Sequence, residues 1–543
     1  MKRQKQFGSI TVCINLLLMV SMLAFSPFRM METERTTWIV NTLVDDNDGS
    51  CSGTNCTLRE AIILASPGDT INFDSSLAGG TITLNVSLGK LTIDKNLTIR
   101  NTNKNKIVIS GSDTIQIFYV NNQKSLSLEN LTLKDGLTAI DNYQGIVTVF
   151  RCWFDSNGHT NASGGALYNY KGTITVDRSR FSNNSGNNGG AIHNAEGFLT
   201  VTDSSFENNL GRSRGGAIYN SLGAIEVMHL VVNGSTFSGN STTDYEGGAI
   251  YNDSYGPATI TNSTFYNNSA GTKGGAIFSY NATDLEIKNS TFSANSATTV
   301  TAGAGVHSVG YLRIYNSIIA NSTSGYDCYW NYTAPTWSIH NLVENNDPSH
   351  SCGTPLLTSD PMLGSLSDNG GYTYTMALPL SSPALDQGHA DYCSSTDQRG
   401  ITRPQGSACD IGAYEYEYPD TTPPVVLSSL TADSNPTSAA TVNFTVTFSE
   451  PVAGVDAGDF WLRLTGVTGA VITTVSGSNT VYSVAATTGT GIGTIKLMVY
   501  DNDSIVDTAL NPLGGVGIEN GNYTTGEVYM IRYHSVFLPL ILR

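Results

Sequence analysis

Four charged side chains lie close together in one region: Asp177, Arg178, Arg180 and, one repeat later, Asp203. Paired carboxylates can share acid and base work in glycoside hydrolysis. Carboxylates holding Ca²⁺ beside an arginine base could cleave a polysaccharide as a lyase does. An ion pair between neighbouring repeats explains the same four residues. Other groups pose the same choice. Asp386, Asp397, Arg399, Arg403, Asp410 and Glu415 read as an acid–base cluster or as a buried salt-bridge network, and Arg59–Glu60 as catalytic or as a structural pair. Glu450, Asp501, Asp503 and Asp507 offer hard oxygen ligands for Ca²⁺, although no EF-hand spacing is met. Tyr168, His193, Tyr219, Tyr251, Phe278 and His307 share one phase of a repeat, and such rings can stack on the apolar faces of sugars. There is no HExxH, GxSxG, P-loop or GxGxxG motif.

The repeat is what must position these groups. Hexads run GGALYN 164–169, GGAIHN 189–194, GGAIYN 215–220, GGAIYN 247–252 and GGAIFS 274–279, then a degenerate GAGVHS 303–308. An FxxN motif keeps phase with them, from Phe154/Asn157 to Phe292/Asn295 and on to Ile318/Asn321. Between the two lies a short alternating strand such as TITV 173–176 or LTVT 199–202. Three short strands per repeat cannot bury a face alone, but stacked coil on coil they can. The pattern predicts a parallel β-helix with strands about 4.8 Å apart. Alternation sends the fourth hexad residue and the Asn inward and the aromatic outward. Leu167, Ile192, Ile218, Ile250 and Ile277 should form one buried column, and Phe181, Phe206, Phe237, Phe265 and Phe292 another. The paired glycines permit a bend closed to residues with a Cβ and allow close stacking. The N-x-S/T triplets, as at Asn262 and Asn289, read as part of the repeat and not as glycosylation sites.

Length and composition set the frame. The 543 residues suffice for two or three domains. Only 13% are charged and the net charge is −17, so neither nucleic-acid binding nor disorder fits. Lys2, Arg3 and Lys5 before the apolar run Ile10–Phe25 predict a secretory signal over 1–26. Its removal takes the charge to −20 and leaves no transmembrane span. Seven cysteines then remain. Their pairing is open from sequence, but local proximity suggests Cys51–Cys56, Cys328–Cys352 and Cys393–Cys409. Cys152 is left over, on the buried face of Phe154.

The GGAIxN and FxxN repeats over about 150–325 resemble those of bacterial polymorphic outer membrane proteins and, more broadly, of right-handed parallel β-helix proteins. Those proteins end in a membrane β-barrel. This sequence ends in a short tail, HSVFLPLILR, read as a sorting signal or a final strand, and self-export through a barrel is not expected. CTLREAI, within the amphipathic stretch 56–69, resembles the CSLREA-type motif of secreted bacterial repeat proteins. Blocks 368–388, 397–404 and 409–416 resemble a choice-of-anchor segment. Residues 424–531 resemble bacterial Ig-like modules.

The expected architecture is all-β, a right-handed parallel β-helix followed by an Ig-like β-sandwich. It divides into a signal peptide (1–26), an N-terminal cap (37–69), the helix (70–350), a segment closing the rod (351–417), a linker (418–423), the sandwich (424–531) and a tail (532–543). The expected function is that of a non-catalytic extracellular or cell-surface protein, adhesive or structural, with an extracellular glycan or surface partner. It needs no cofactor unless Ca²⁺ binds. The alternative is a β-helical polysaccharide lyase or glycoside hydrolase.

Overall fold

The computed structural model describes residues 35–533 apart from 54, 160–161, 222–229, 254–255, 281–283, 332–336 and 348. The signal segment and tail residues 534–543 lie outside the described residues. The chain divides into two compact units between Glu415 and Tyr416.

The first unit is a right-handed parallel solenoid built on three long sheets of twelve, eleven and ten strands. One turn shows its construction: Ile192–Ala195, Phe198–Thr202 and Ser205–Glu207 each join a different long sheet. Here the structure adds to the three strands per repeat that the sequence predicts. A fourth short strand, Leu210–Arg214 in this turn, belongs to a five-stranded ladder that runs beside the hexads.

Position-specific columns hold the coils in register. Leu167, Ile192, Ile218, Ile250 and Ile277 pair in sequence and are all buried. Phe154, Phe181, Phe206, Phe237, Phe265 and Phe292 stack nearly parallel, with centroids 4.6–4.7 Å apart. The FxxN asparagines form an amide ladder. Asn209 Nδ2 donates to Asn240 Oδ1 at 2.9 Å and to the Phe181 carbonyl at 3.0 Å, and neighbouring rungs repeat the pattern. The hexad asparagines make a second ladder, 2.6–2.7 Å from Asn142 to Asn252. A buried donor left unpaired costs about 1–3 kcal/mol, so these ladders also penalise any slip in register. A serine column, Ser179 through Ser317, bonds backbone N–H to the next hydroxyl, and Cys152 begins it by donating its N–H to Ser179 Oγ at 3.1 Å. Burial pushes the Cys152 thiol up to about 11, so it stays protonated and inert.

The two glycines of the hexad have different reasons. The first is left-handed, with φ of 66, 64, 74 and 65° at Gly189, Gly215, Gly247 and Gly274. The second packs against the coil above it. A Cβ on Gly216 would lie 1.9 Å from the Gly248 carbonyl oxygen.

The helix Leu58–Leu64 begins in a capping box between Thr57 and Glu60 and packs Leu58, Ala61 and Ile62 onto the core at the first coils. Arg59 pairs not with Glu60 but with Asp45, at 2.8 Å through both oxygens, and it also donates to the Gly89 carbonyl. Thr37–Val40 already forms the first rung of the twelve-stranded sheet. Deleting 37–69 would remove that rung and the helix and leave the edge of Thr70–Phe73 uncovered. The deletion protein is expected to aggregate, and a monomer by light scattering would contradict this.

Segment 351–415 meets the last coils through Cys352 and through Leu378, Ala384 and Ile411, which cluster with Ile318, Ala320 and Leu342. It also bridges at Leu342↔Leu357 and runs along the flank of the rod. Each coil makes a left-handed turn just before the serine column, at Arg178, Asp203, Gly234, Asn262, Asn289 and Asn316. The segment docks on that row of turns. Thr373 donates to the Gly234 carbonyl, Asn262 to that of Thr396, Ser394 to Asn289 Oδ1, and His389 to Asn316 Oδ1. This explains the asparagines of the triplets at Asn262 and Asn289: each sits in a turn that favours Asn, and its amide holds the flanking segment. The charged cluster lies inside the segment. Arg403–Glu415 at 3.2 Å and Arg399–Asp397 at 2.8 Å are buried pairs, and Asp410 accepts the Asp386 N–H. The rod's C-terminal end carries Cys328, Val343 and Cys352 in its core, tied by the Cys328–Cys352 disulfide. Cys51–Cys56 and Cys393–Cys409 are also bonded.

The second unit holds a four-stranded and a three-stranded antiparallel sheet. Inward residues of both, among them Phe444, Val484, Leu497 and Tyr529, form one apolar cluster. Among the described residues of the chain, no helix is long and apolar enough to cross a membrane.

Candidate functional site

The eleven-stranded sheet presents two outward rows on either side of the phenylalanine column. One row runs Trp153, Arg180, Ser205, Thr236, Thr264, and the other Asp155, Ser182, Glu207, Ser238, Tyr266. Ser and Thr hold three of the five positions in the first row and two of the five in the second, and the large or charged departures are Trp153, Arg180, Asp155, Glu207 and Tyr266. Arg180 bonds Glu207 across the coils at 2.5 Å and lies over the Trp153 ring, 5.0 Å from its centroid. The Trp153 indole donates to Ser182 Oγ, which donates to Asp155.

The flanking segment supplies the opposite wall. At Asn369–Tyr374 the chain makes a tight arm, with Asn369 Nδ2 donating to the Thr375 carbonyl. Thr373 is buried and donates to the Gly234 carbonyl at 2.8 Å. Gln398, also buried, donates to Thr236, to Thr373 and to the Tyr374 carbonyl, and it accepts from Thr264. The Tyr372 and Tyr374 rings stay 59% and 54% exposed. Between sheet and arm lies a groove of about 470 Å³ lined by Arg180, Ser205, Glu207, Tyr266, Tyr372 and Tyr374.

The four charged residues named from the sequence divide here. Asp177, Arg178 and Asp203 come together, with the Arg178 Nε 3.8 Å from each carboxylate, while Arg180 turns instead to Glu207. Arg178 also stacks on the Tyr372 ring, 4.0 Å from its centroid. Burial, reinforced by Asp177, raises the Asp203 carboxyl above its usual range, while Arg178 opposes the rise. Arg178 and Asp203 occupy equivalent turns of the docking row. Their arrangement fastens the tip of the arm to the rod.

The six hexad rings point away from the coil core, yet five are covered, which corrects the expected open strip. Exposure is 8% at His193 and Tyr219, 3% at Tyr251 and His307, and 4% at Phe278; Tyr168 alone is half-buried. The rings pack on one another, edge to face at Tyr168–His193 and Tyr219–Tyr251 and stacked from Tyr251 onward. Centroids are 4.8–5.3 Å apart from Tyr168 to His307, and the column continues through Tyr329 to His350. The fourth strand supplies cover, for Arg214 lies over the Tyr251 ring at 5.1 Å. His193 contacts the Ser163 carbonyl and Ser221 Oγ. Five rings this covered present no open face to a sugar, and the column packs the coils against one another.

Burial holds the His193 imidazole down to about 4 and that of His307 down to about 3. Both stay neutral in the folded chain, whereas the unfolded chain protonates them near 6.5. Stability is therefore whole above pH 6.5 and is lost as pH falls toward 4 and then 3. The double variant His193→Phe/His307→Phe should lose less stability than the natural chain between pH 6.5 and 4, read by denaturant midpoints. Equal slopes would contradict neutral, buried histidines.

In the second unit, Asp420, Glu450 and Asp507 bring carboxylate oxygens within 4.8 Å of one another. The expected calcium set is thus altered. Asp420 joins it, while Asp501 and Asp503 instead accept loop amides from Gly521 and Gly517. Asp507 already accepts from Ala509 and Asn511. Burial first, then Asp420 and Asp507, raise the Glu450 carboxyl. Three carboxylates meet there, one of them already accepting loop amides, and Ca²⁺ would take its remaining oxygens from carbonyls or water.

Trp153, against Arg180, and the groove residues Glu207, Tyr266, Tyr372 and Tyr374 were not singled out from sequence. For Trp153, Glu207 and Tyr266 a signal exists: they break the Ser/Thr habit at positions flanking the column phenylalanine.

A parallel solenoid with amide and phenylalanine ladders defines a class of repeat protein. Within it, four segments, 178–195, 203–221, 234–253 and 262–280, match the family model of the Chlamydia polymorphic membrane protein repeat. Each begins at a turn of the docking row and ends in or just after the hexad. These four coils of the solenoid are thus similar to the polymorphic membrane protein repeat. No curated protein matches the chain.

Proposed function

We propose that this is a non-catalytic, surface-exposed or secreted β-helical protein that works by adhesion. The observation that carries the reading is the set of four matches to a repeat named for polymorphic membrane proteins, lying on a parallel solenoid. CTLREAI at 56–62 is then a CSLREA-type opening, 351–417 a choice-of-anchor-type segment and 424–531 an Ig-like module. The two small antiparallel sheets around one core support that last assignment. The partner is an extracellular glycan or a surface protein.

Protease added to intact bacteria producing the full chain tests the location. The chain should be cleaved without permeabilisation, and full protection would sink the reading. Beads coated with the purified chain should be retained on target cells or matrix, and bare-bead levels of retention would count against adhesion.

A further inference from the structure

We propose that the groove between the eleven-stranded sheet and the Asn369–Tyr374 arm binds an uncharged oligosaccharide. This deepens the adhesive reading and rests on it. Exposed tyrosines usually need no explanation, but these are held in an unusual way. Thr373, between Tyr372 and Tyr374, is buried and bonded to Gly234, and Gln398 ties the same backbone to Thr236 and Thr264. The rings are thereby displayed on fixed backbone, which spares a ligand the ordering cost of a loose loop. Arg178 packs on Tyr372 and holds the tip of the arm.

Across the groove, the Arg180–Glu207 pair presents a planar donor and a planar acceptor side by side, with Ser205 and Ser238 adjoining. Vicinal hydroxyls of a pyranose can bond to both members of such a pair, while its apolar face lies on a tyrosine. Tyr266 extends the aromatic surface from the sheet side. The volume, about 470 Å³, falls in the range of small-ligand sites. Charge selects among sugars. The arginine is already neutralised by Glu207, Asp155 stands nearby in the same outward row, and the chain carries −17, so a polyanion finds no free cation here. Three of the outward departures from Ser/Thr, namely Arg180, Glu207 and Tyr266, line the groove where the arm faces the sheet.

The test is affinity electrophoresis of the full chain on cellohexaose, xylohexaose and mannohexaose, with polygalacturonate as the anionic arm. At least one neutral probe should retard the protein. The double variant Tyr372→Ala/Tyr374→Ala should bind it at least about tenfold more weakly, and Glu207→Gln several-fold. Tyr372→Phe/Tyr374→Phe should stay within about threefold, since the stacking face remains, and Tyr311→Ala, outside the groove, should not change retention. An unchanged thermal midpoint in the alanine pair separates lost binding from lost folding. Three results would overturn the proposal: no retardation on any neutral probe, equal retardation of the alanine pair, or retardation on polygalacturonate alone. Surface proteolysis is read separately. If the groove fails while intact cells still expose the chain, the adhesive reading stands without this site.

Discussion

Replacing Phe237 with alanine should cost the solenoid about 3–5 kcal/mol, the usual price of emptying a buried aromatic site. Phe237 is fully buried, with Phe206 stacked 4.6 Å away on one face and Phe265 4.7 Å away on the other. Two ring contacts disappear together, each worth about 0.5–1.5 kcal/mol beyond the area buried. Collapse into the gap is opposed because the adjacent Asn209, Asn240 and Asn268 amides fix the spacing of the coils. The shift in urea midpoint of the rod's transition measures the effect. Phe237→Leu should recover much of the loss, and the outward neighbour variant Ser238→Ala should stay within about 0.5 kcal/mol. A midpoint unmoved by Phe237→Ala would show that the column does not hold the coils together.

Arg403→Met is expected to be comparably severe, about 3–5 kcal/mol, because it breaks a buried pair from one side only. The Arg403 side chain is wholly buried, 3.2 Å from Glu415, and donates to the Asp410 and Gly412 carbonyls at 2.8 Å. Burial already raises the Glu415 carboxyl, with Arg403 opposing the rise. Without the arginine that carboxyl rises further and takes up a proton in the folded state at a higher pH than in the unfolded chain. Part of the lost stability should therefore return as pH falls from 7 to 5. Denaturation of the variant at the two pH values checks it, and a deficit independent of pH would mean that Glu415 keeps its charge by other means.

Much of the rod was legible because its determinants are local and periodic. The Ile and Asn of GGAIYN and the Phe and Asn of FxxN each recur in phase, and strand alternation alone puts them inside. The hexad aromatic shows where that logic ends. Alternation rightly sends Tyr251 away from the core, but Arg214 on a fourth, less regular strand lies over it. The groove was hidden for a different reason. Its two walls are held by contacts such as Thr236 with Tyr374, 138 residues apart, and no period links them. The cluster around Arg403 was readable as a buried network, while its position along the flank depended on amides at Asn262, Asn289 and Asn316 that the sequence shows only as repeat residues.

The central claim is binding without turnover, and one co-sedimentation measurement tests it most directly. The purified full chain is mixed with insoluble cellulose, xylan and mannan, and pelleted protein and soluble sugar are scored in the same tube over time. The account predicts that the chain sediments with at least one of them, that Tyr372→Ala/Tyr374→Ala stays in solution, and that no soluble sugar accumulates. Reducing ends or unsaturated products that grow with time, and vanish in Asp203→Asn, would contradict it and make the Asp177–Arg178–Asp203 triangle a catalytic site.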